Sequence, residues 1–508
     1  MDSLTSCLVV FQISVFILQL DQINCQPLYE NPQEDSLTDP GHLYCRKYYE
    51  RELSHVKRQT SLQKELEMTR GTCTTPDFPF TSEPPPYLLS GQNITRGSKG
   101  KGFIVLFMKN IVDTTKKVYV TSERDFHMNI STSSRLDPSL KIQIDKNVFV
   151  NSSHLIILPT AIELNYFQKE VKSVLIETSD DVNVISFDEG DRTAGSTANI
   201  PIHKLSTKYI VISTAPSRKS QLAVAAIKDN TAISVTFKME RYLSLKIENH
   251  TFYRGDVFSF SLDSFETYQI AHSTDLTGSV IQSSYPIAAF SGNDCNTIDG
   301  IGFCDHLITQ LPPTGFVDNM YIVPPNNDDR DTIIRITAIE KSDIFYVISA
   351  ANKSLSLYKY NSFDIRISSN QVCYIKSTTP VIVTGIGLAS KKISYLGDPS
   401  MTIIPGINQY LNYYKIVIPN GYVNGFVSVM IKESSLDFFR INSTVINICD
   451  IVFEKNVLAG NITYNVRTMR VAGGVLTART LDGEKFGMIF LGVHIAKAYS
   501  FSVNCLLP

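Results

Sequence analysis

From about residue 87 the apolar residues fall into short runs. These are FIVLFM, VNVISF, YIVIS, TAISVTF, IIRITAI, IFYVIS, FDIRIS, VIVTGI, YKIVIP and FGMIFLGV. They are rich in Val, Ile, Phe, Tyr and Thr, the residues that fit a pleated and half-buried surface. Asn, Asp, Ser and Gly separate them, and helical periodicity is nearly absent. Runs of this length between turn residues predict strands, and so many of them predict an all-β chain.

The runs recur in a fixed order. YIVI (209–212), YIVP (321–324) and YKIVIP (414–419) each open a copy. AIKDNTAISV (226–235), AIEKSDIFYV (338–347) and MIKESSLDFF (430–439) each place a polar turn between two apolar runs. SYPIAAFSG (284–292), TTPVIVTGIG (378–387) and EKFGMIFLGV (484–493) follow as closing strands. Pro286 and Pro380 stand just ahead of theirs, where a missing N–H does least harm. A looser first copy runs from GFIVLFMKN (102–110) to DDVNVISF (180–187). The pattern predicts about four repeated β units, each sandwich-like, with propeller blades as the alternative arrangement.

The first quarter of the chain reads differently. Residues 4–20 are uncharged and mostly apolar, short for a membrane span but suited to a signal peptide over 1–25. Residues 26–75 contain CRKYYERELSHVKRQTSLQKELEMTRGTC, which is charged, Pro-free and spaced as a helix, with Cys45 and Cys73 at its flanks. A Pro-rich linker over 76–86 leads into the repeated region over 87–508. The remainder holds no membrane-length apolar stretch, so the expectation is a secreted, extracellular chain without a membrane span.

Composition narrows the partners. With 43% hydrophobic and 19% charged residues the chain is globular, and a net charge of −2 without long runs of one sign gives no nucleic-acid surface. Export makes pairing the default for its cysteines. Cys449 and Cys505 both lie in the fourth copy and are candidates to join its ends, while Cys373 is left over. Sequons occur at Asn93, Asn129, Asn151, Asn249, Asn352, Asn442 and Asn461, a number near chance that permits glycosylation.

The densest chemistry is SYPIAAFSGNDCNTIDGIGFCDHLITQLPP (284–313), where Asp294, Asp299, Asp305 and His306 crowd around Cys295 and Cys304. Three readings compete: a zinc site, a thiol nucleophile with a base, and a disulfide-pinned loop. Zinc lacks the usual Cys spacing and a second Cys/His pair, and an exported chain disfavours a free thiol. A Cys295–Cys304 disulfide is the plainer reading. CDHLITQLPP and GDPSMTIIPGINQY also share a skeleton of Asp, apolar run, Gln and Pro, with Asp305 ahead of Gln310 and Asp398 ahead of Gln409. A skeleton carried by two copies points to architecture.

These motifs carry a resemblance. YPIAAFSG…C…CDHLITQLPP, GDPSMTIIPGINQY and VAGGVLTARTLDGEKFGMIFLGV resemble, in that order, the N-terminal domain family of the IgG Fc-binding protein over about residues 100–505. Where that family usually has Trp after its Q-x-P-P motif, the nearest aromatic here is Phe316. The resemblance implies extracellular binding or adhesion, in mucus or at a surface. No catalytic motif or metal-ligand spacing is present, so no catalytic residue, cofactor or metal is expected, and no Fc-contacting residue is carried over.

Weaker signals remain. FYRGDVF places Arg254, Gly255 and Asp256 between two expected strands, so a turn is expected; an exposed one is an integrin motif, and a turn that simply wants Gly is the plainer reading. NNDDRD (326–331) lacks EF-hand spacing and reads as a solvated acidic turn. The expectation is a non-catalytic binding protein for extracellular glycoproteins or glycans, then immunoglobulin-like proteins. The alternatives are a glycan-active enzyme, marked by an acidic pair in a pocket, and an integrin ligand.

Overall fold

The structure, a computed structural model, describes residues 98–502 except 301, 350, 394 and 395. The signal segment, the helical segment with Cys45 and Cys73, the linker, Asn93 and Cys505 lie outside the described residues.

Period-two alternation builds most strands. Phe126–Thr132 and Thr231–Thr236 bury every second residue. The third copy shows the unit most plainly. Met320–Val323 pairs with Cys373–Ser377, which pairs with Ser342–Ile348, which pairs with Ala351–Leu357. The second sheet runs Ser362–Ile367, Arg330–Ala338, Val381–Ser390, Ser400–Ile403. All pairs are antiparallel, and one core that includes Ile322, Ile344 and Ile375 of the first sheet and Ile334, Ile336 and Val383 of the second lies between them.

The other copies repeat this order with two variations. In the first and second, the last strand of one sheet and the closing strand of the other fuse. Val174–Glu189 and Val280–Asn296 each run through both sheets. In the fourth, Ile451–Ala459 changes sheet and pairs with Ile462–Arg470. The units are therefore sandwiches.

One tyrosine fixes each of the last three. Tyr209 donates to Ile287 O (2.7 Å) and accepts from Ser206 N (2.7 Å). Tyr321 donates to Val381 O (2.6 Å) and accepts from Asp318 N (2.9 Å). Tyr414 donates to Phe486 O (2.7 Å) and accepts from Leu411 N (3.2 Å). Each hydroxyl ties the opening strand to the start of the closing strand. Tyr321→Phe is expected to lower stability by about 1–3 kcal/mol, since the buried Asp318 N–H and Val381 C=O each lose this partner; a urea midpoint shift at unchanged slope checks it.

Each copy ends in a further strand: Ala194–Ala198, Asp305–Gln310, Ser400–Ile403 and Lys497–Phe501. These four pack on one another in a closed circuit, first on second, second on third, third on fourth and fourth on first. They form a hub around which the sandwiches are set. Rim contacts reinforce the circuit. Arg335 of the third copy binds Asp275 of the second (2.6 Å), and Asn183 of the first donates to Lys415 O of the fourth (3.1 Å).

Candidate functional site

The hub collects most of the chemistry, and the Cys295–Cys304 stretch leads into it. These cysteines are joined by a disulfide, with Cα atoms 5.1 Å apart. Closing so short a loop stabilises by roughly 2–3 kcal/mol through chain entropy. The loop rests on the third copy: Phe303 N donates to Asp398 Oδ1 at 2.8 Å. Gly302 has φ +82°, and a Cβ there would collide with the same carboxylate oxygen. The zinc and thiol readings of this pair therefore fall away. Cys449 is disulfide-bonded, and Cys373 is a buried thiol pushed up to about 12 by burial.

The acidic cluster around that loop separates. Asp294 is buried between the first two copies, accepting from Tyr166 Oη (2.9 Å) and Lys219 N (2.9 Å). Asp305 enters the hub and is fully buried. Its Oδ1 accepts from Thr193 Oγ1 (2.8 Å), Ala194 N (2.5 Å) and His306 N (2.9 Å), and its Oδ2 from Ala498 N (3.0 Å). One carboxyl group thus joins the first, second and fourth copies.

His306 starts a second buried network. Its Nδ1 is 2.6 Å from Asp188 Oδ2, and its Nε2 is 3.0 Å from the Gln221 amide nitrogen. Asp188 also accepts from Lys116 Nζ (2.6 Å), Asn110 Nδ2 (3.0 Å) and Thr114 Oγ1. Lys116 reaches Glu163 (2.5 Å), which binds Lys109 (2.7 Å) at the surface. Burial opposes the charge of Asp188, but the hydrogen bond and charge of His306, with those of Lys116, hold its carboxyl well below the usual range.

Arg330 and Asp398 complete the polar end of the hub. NNDDRD is largely buried, which corrects the reading of it as a solvated turn: Arg330 is wholly enclosed and donates to Leu388 O (2.6 Å) and Asp398 O (3.0 Å). Asp398 is also buried, with Oδ1 on Phe303 N and Oδ2 without a partner. Burial, then the charge of Asp305, push Asp398 up to about 9.

The opposite end of the hub is a cavity of about 70 Å³. All four hub strands and the half-buried ring of Phe316 line it. Gln310 Oε1 accepts from Ile200 N (2.8 Å). Gln409, its counterpart in the next copy, accepts from Gly406 N (2.8 Å) and donates to Phe316 O (3.1 Å). The shared Asp…Gln skeleton therefore spans the hub, Asp at the charged end and Gln at the neutral one. The carboxylates of Asp188, Asp305 and Asp398 do not line this cavity.

The remaining candidates lie outside the hub. Arg254, Gly255 and Asp256 form an exposed turn, with Gly255 at φ +94° and Asp256 Oδ2 accepting from Tyr253 N (2.8 Å). It is not a hairpin tip, because the strand before it pairs with Leu245–Ile247 and the strand after it with Thr231–Thr236. Asn151, Asn249, Asn352, Asn442 and Asn461 are exposed; Asn129 is half-buried beside Glu177 (3.2 Å). Among the described residues no helix is long and apolar enough to cross a membrane, and no cluster of three or more His, Cys, Asp or Glu is placed to hold a metal. Lys116, Asp188, Glu163 and Arg330 carry no local motif.

A sequence model of the family described as IgGFc binding protein matches residues 195–492. The IgGFc-binding protein of Homo sapiens is 23% identical over 416 residues, covering 79% of this chain and 7% of the relative, so the chain spans a small part of that protein's length. Among solved structures, a Ca2+-stabilized adhesin with which an Antarctic bacterium binds ice aligns over 81% of this chain and 100% of its own, at 7% identity and TM-score 0.11. The major pilin of Streptococcus pyogenes aligns over 79% and 99%, at 9% identity and TM-score 0.15.

Proposed function

Because this chain belongs to the IgGFc-binding protein family, we propose that it is a secreted, non-catalytic binding protein for extracellular glycoproteins or glycans, in mucus or at a surface. The observation that carries the non-catalytic part is the state of the hub carboxylates; Asp113 and Asp294 line a separate open pocket together with Lys109, Arg218 and Lys219. Asp305 and Asp188 are sealed in the hub and saturated by structural donors, so neither is available to a substrate as acid, base or nucleophile. A glycan-active enzyme would instead present an acidic pair in an open pocket. Recognition then falls to the loops, carried on a rigid scaffold. Immunoglobulin-type partners follow from the name of the human relative and rank second.

A further reading rests on the exposed Arg254–Gly255–Asp256 turn, which has the accessibility an integrin ligand needs. One experiment separates these readings. The purified, secreted chain is presented to a glycan array carrying Fc and an integrin ectodomain as extra spots, with a fluorogenic sugar panel in parallel. Saturable binding to glycans or glycoproteins without turnover is expected. Hydrolysis of a sugar substrate, or binding confined to the integrin and abolished by Asp256→Glu, would overturn the proposal.

A further inference from the structure

We infer that the open cleft between the first and second copies is a subsite for the acidic end of a glycan, a sugar that bears a carboxylate or a sulfate. This rests on the reading that the chain binds glycans, and it names where they are held and which.

The cleft holds about 800 Å³, within the range of ligand sites. From the first copy come residues 109–113 and Tyr166; from the second come residues 217–219 and Asp294. These walls are fixed before any ligand arrives. Lys109 N donates to Gln269 Oε1 (3.2 Å), and Lys109 O accepts from Gln221 Nε2 (3.2 Å). Ser217 N donates to Asn296 Oδ1 (3.0 Å). Lys219 N donates to Asp294 Oδ1 (2.9 Å), and Lys219 O accepts from Asp294 N (3.1 Å). Little backbone ordering is left for a ligand to impose.

The charge of the ligand follows from which groups are already engaged. Lys109, Arg218 and Lys219 share the cleft with two carboxylates, Asp113 and Asp294. Asp294 is 4% exposed and each of its oxygens accepts a bond from the fold, so it belongs to the wall. Lys109 is paired with Glu163 (2.7 Å). Arg218 and Lys219 are exposed and form no ion pair among the described residues. Lys219 Nζ lies 4.5 Å from the Tyr166 ring centroid, a contact that holds the ammonium without neutralising it. A carboxylate or sulfate entering here can take the guanidinium fork and the ammonium together. Asp113, exposed on the first copy's side, accepts from hydroxyls. Ile111 and Val112, 38% and 48% exposed, give an apolar footing for C–H faces. An acid, hydroxyls and a C–H face together describe an acidic sugar. With Asp294 engaged, Asp113 is the one carboxylate of the cleft left to a ligand, so the pair that hydrolysis needs is missing.

Calorimetry on the full chain at low and physiological salt separates the outcomes, with sialyllactose, sulfated lactose, plain lactose and a sulfotyrosyl peptide as probes. Saturable binding of at least one acidic sugar is expected, about tenfold or more tighter than lactose and weaker at higher salt. Which of the two binds tells carboxylate from sulfate. Arg218 makes no ion pair in the fold, so Arg218→Ala is expected to weaken the acidic sugar about tenfold at unchanged melting temperature, and Arg218→Lys to restore part of the loss. Equal affinity for lactose, indifference to Arg218→Ala, or binding of the sulfotyrosyl peptide alone would overturn the inference. Neutral glycans bound on an array while both acidic probes fail would also overturn it, leaving the broader reading intact. A blank array with failed acidic probes removes both.

Discussion

Asp305→Asn is expected to destabilise the chain by about 3–5 kcal/mol, the range for breaking a buried charged network at one member. The four hydrogen bonds to Asp305 all come from donors: a threonine hydroxyl and the backbone N–H groups of Ala194, His306 and Ala498. A carboxylate can accept all four. An amide cannot, because its nitrogen must face either Ala498 N–H on one side or the other three donors. One buried donor then meets another, and a negative charge near Arg330 is lost. Because the donors sit in three different copies, the damage falls on the joints between sandwiches. Urea unfolding of variant and parent at pH 7 measures it, and a shift under about 1 kcal/mol would show that the joints hold without this carboxylate.

The joints were the least legible part of the chain. The repeated unit could be read because its determinants are local. Tyr209, Tyr321 and Tyr414 open their runs at matching places, and Pro380 precedes its closing strand; Pro286 instead lies inside Val280–Asn296, where the ladder shifts register between Gln282 and Ile287. The Asp…Gln skeleton was visible too, and its recurrence pointed to architecture, as the spanning of the hub explains. Sandwich and propeller were both on offer, and each captured something. The units are two-sheet sandwiches, yet their last strands meet around a common centre as blades do.

What escaped the sequence depends on long-range burial. Arg330 lies in NNDDRD, whose composition is that of a solvated turn, and only the meeting of copies encloses it. Lys116 and Asp188 flank ordinary strand runs, and the histidine that completes their network stands 118 residues beyond Asp188. The SDD inside VLIETSDDVNVISFDE looks like a turn, but the strand continues through it as the chain passes between sheets, where Ser179 is exposed and Asp180 and Asp181 are half-buried. The transfer of Ile451–Ala459 to the other sheet likewise has no signature in its alternation. Fixed periods report which face is buried, and they are silent on which neighbour buries it.

The second large effect concerns pH, through Asp398. Burial first, and the nearby Asp305 charge second, push its carboxyl up to about 9 in the fold, whereas an unfolded aspartate titrates near about 3.9. Its Oδ2 has no acceptor duty and is free to hold the proton, while Oδ1 keeps its bond from Phe303 N. Asp305 is shifted the same way by burial, but its four donors favour the charged form, so the proton of the pair resides on Asp398. Between about pH 4 and 9 the folded chain then binds a proton that the unfolded chain has lost. The stability is fully present near pH 4 and declines as pH rises through the folded value, by at most about 1.4 kcal/mol per unit. Groups held low, such as Asp188, act oppositely and only in acid, as pH falls below about 4. Asp398→Asn supplies an amide that mimics the protonated acid, one acceptor for Phe303 N and one donor in place of the O–H. It should lie nearest the parent at the acid end, exceed it most at pH 8.5, and show a flatter profile between. Melting temperatures of both proteins across pH 5–9 decide this. Parallel profiles would mean that Asp398 is ionised in the fold and that Arg330 neutralises it after all.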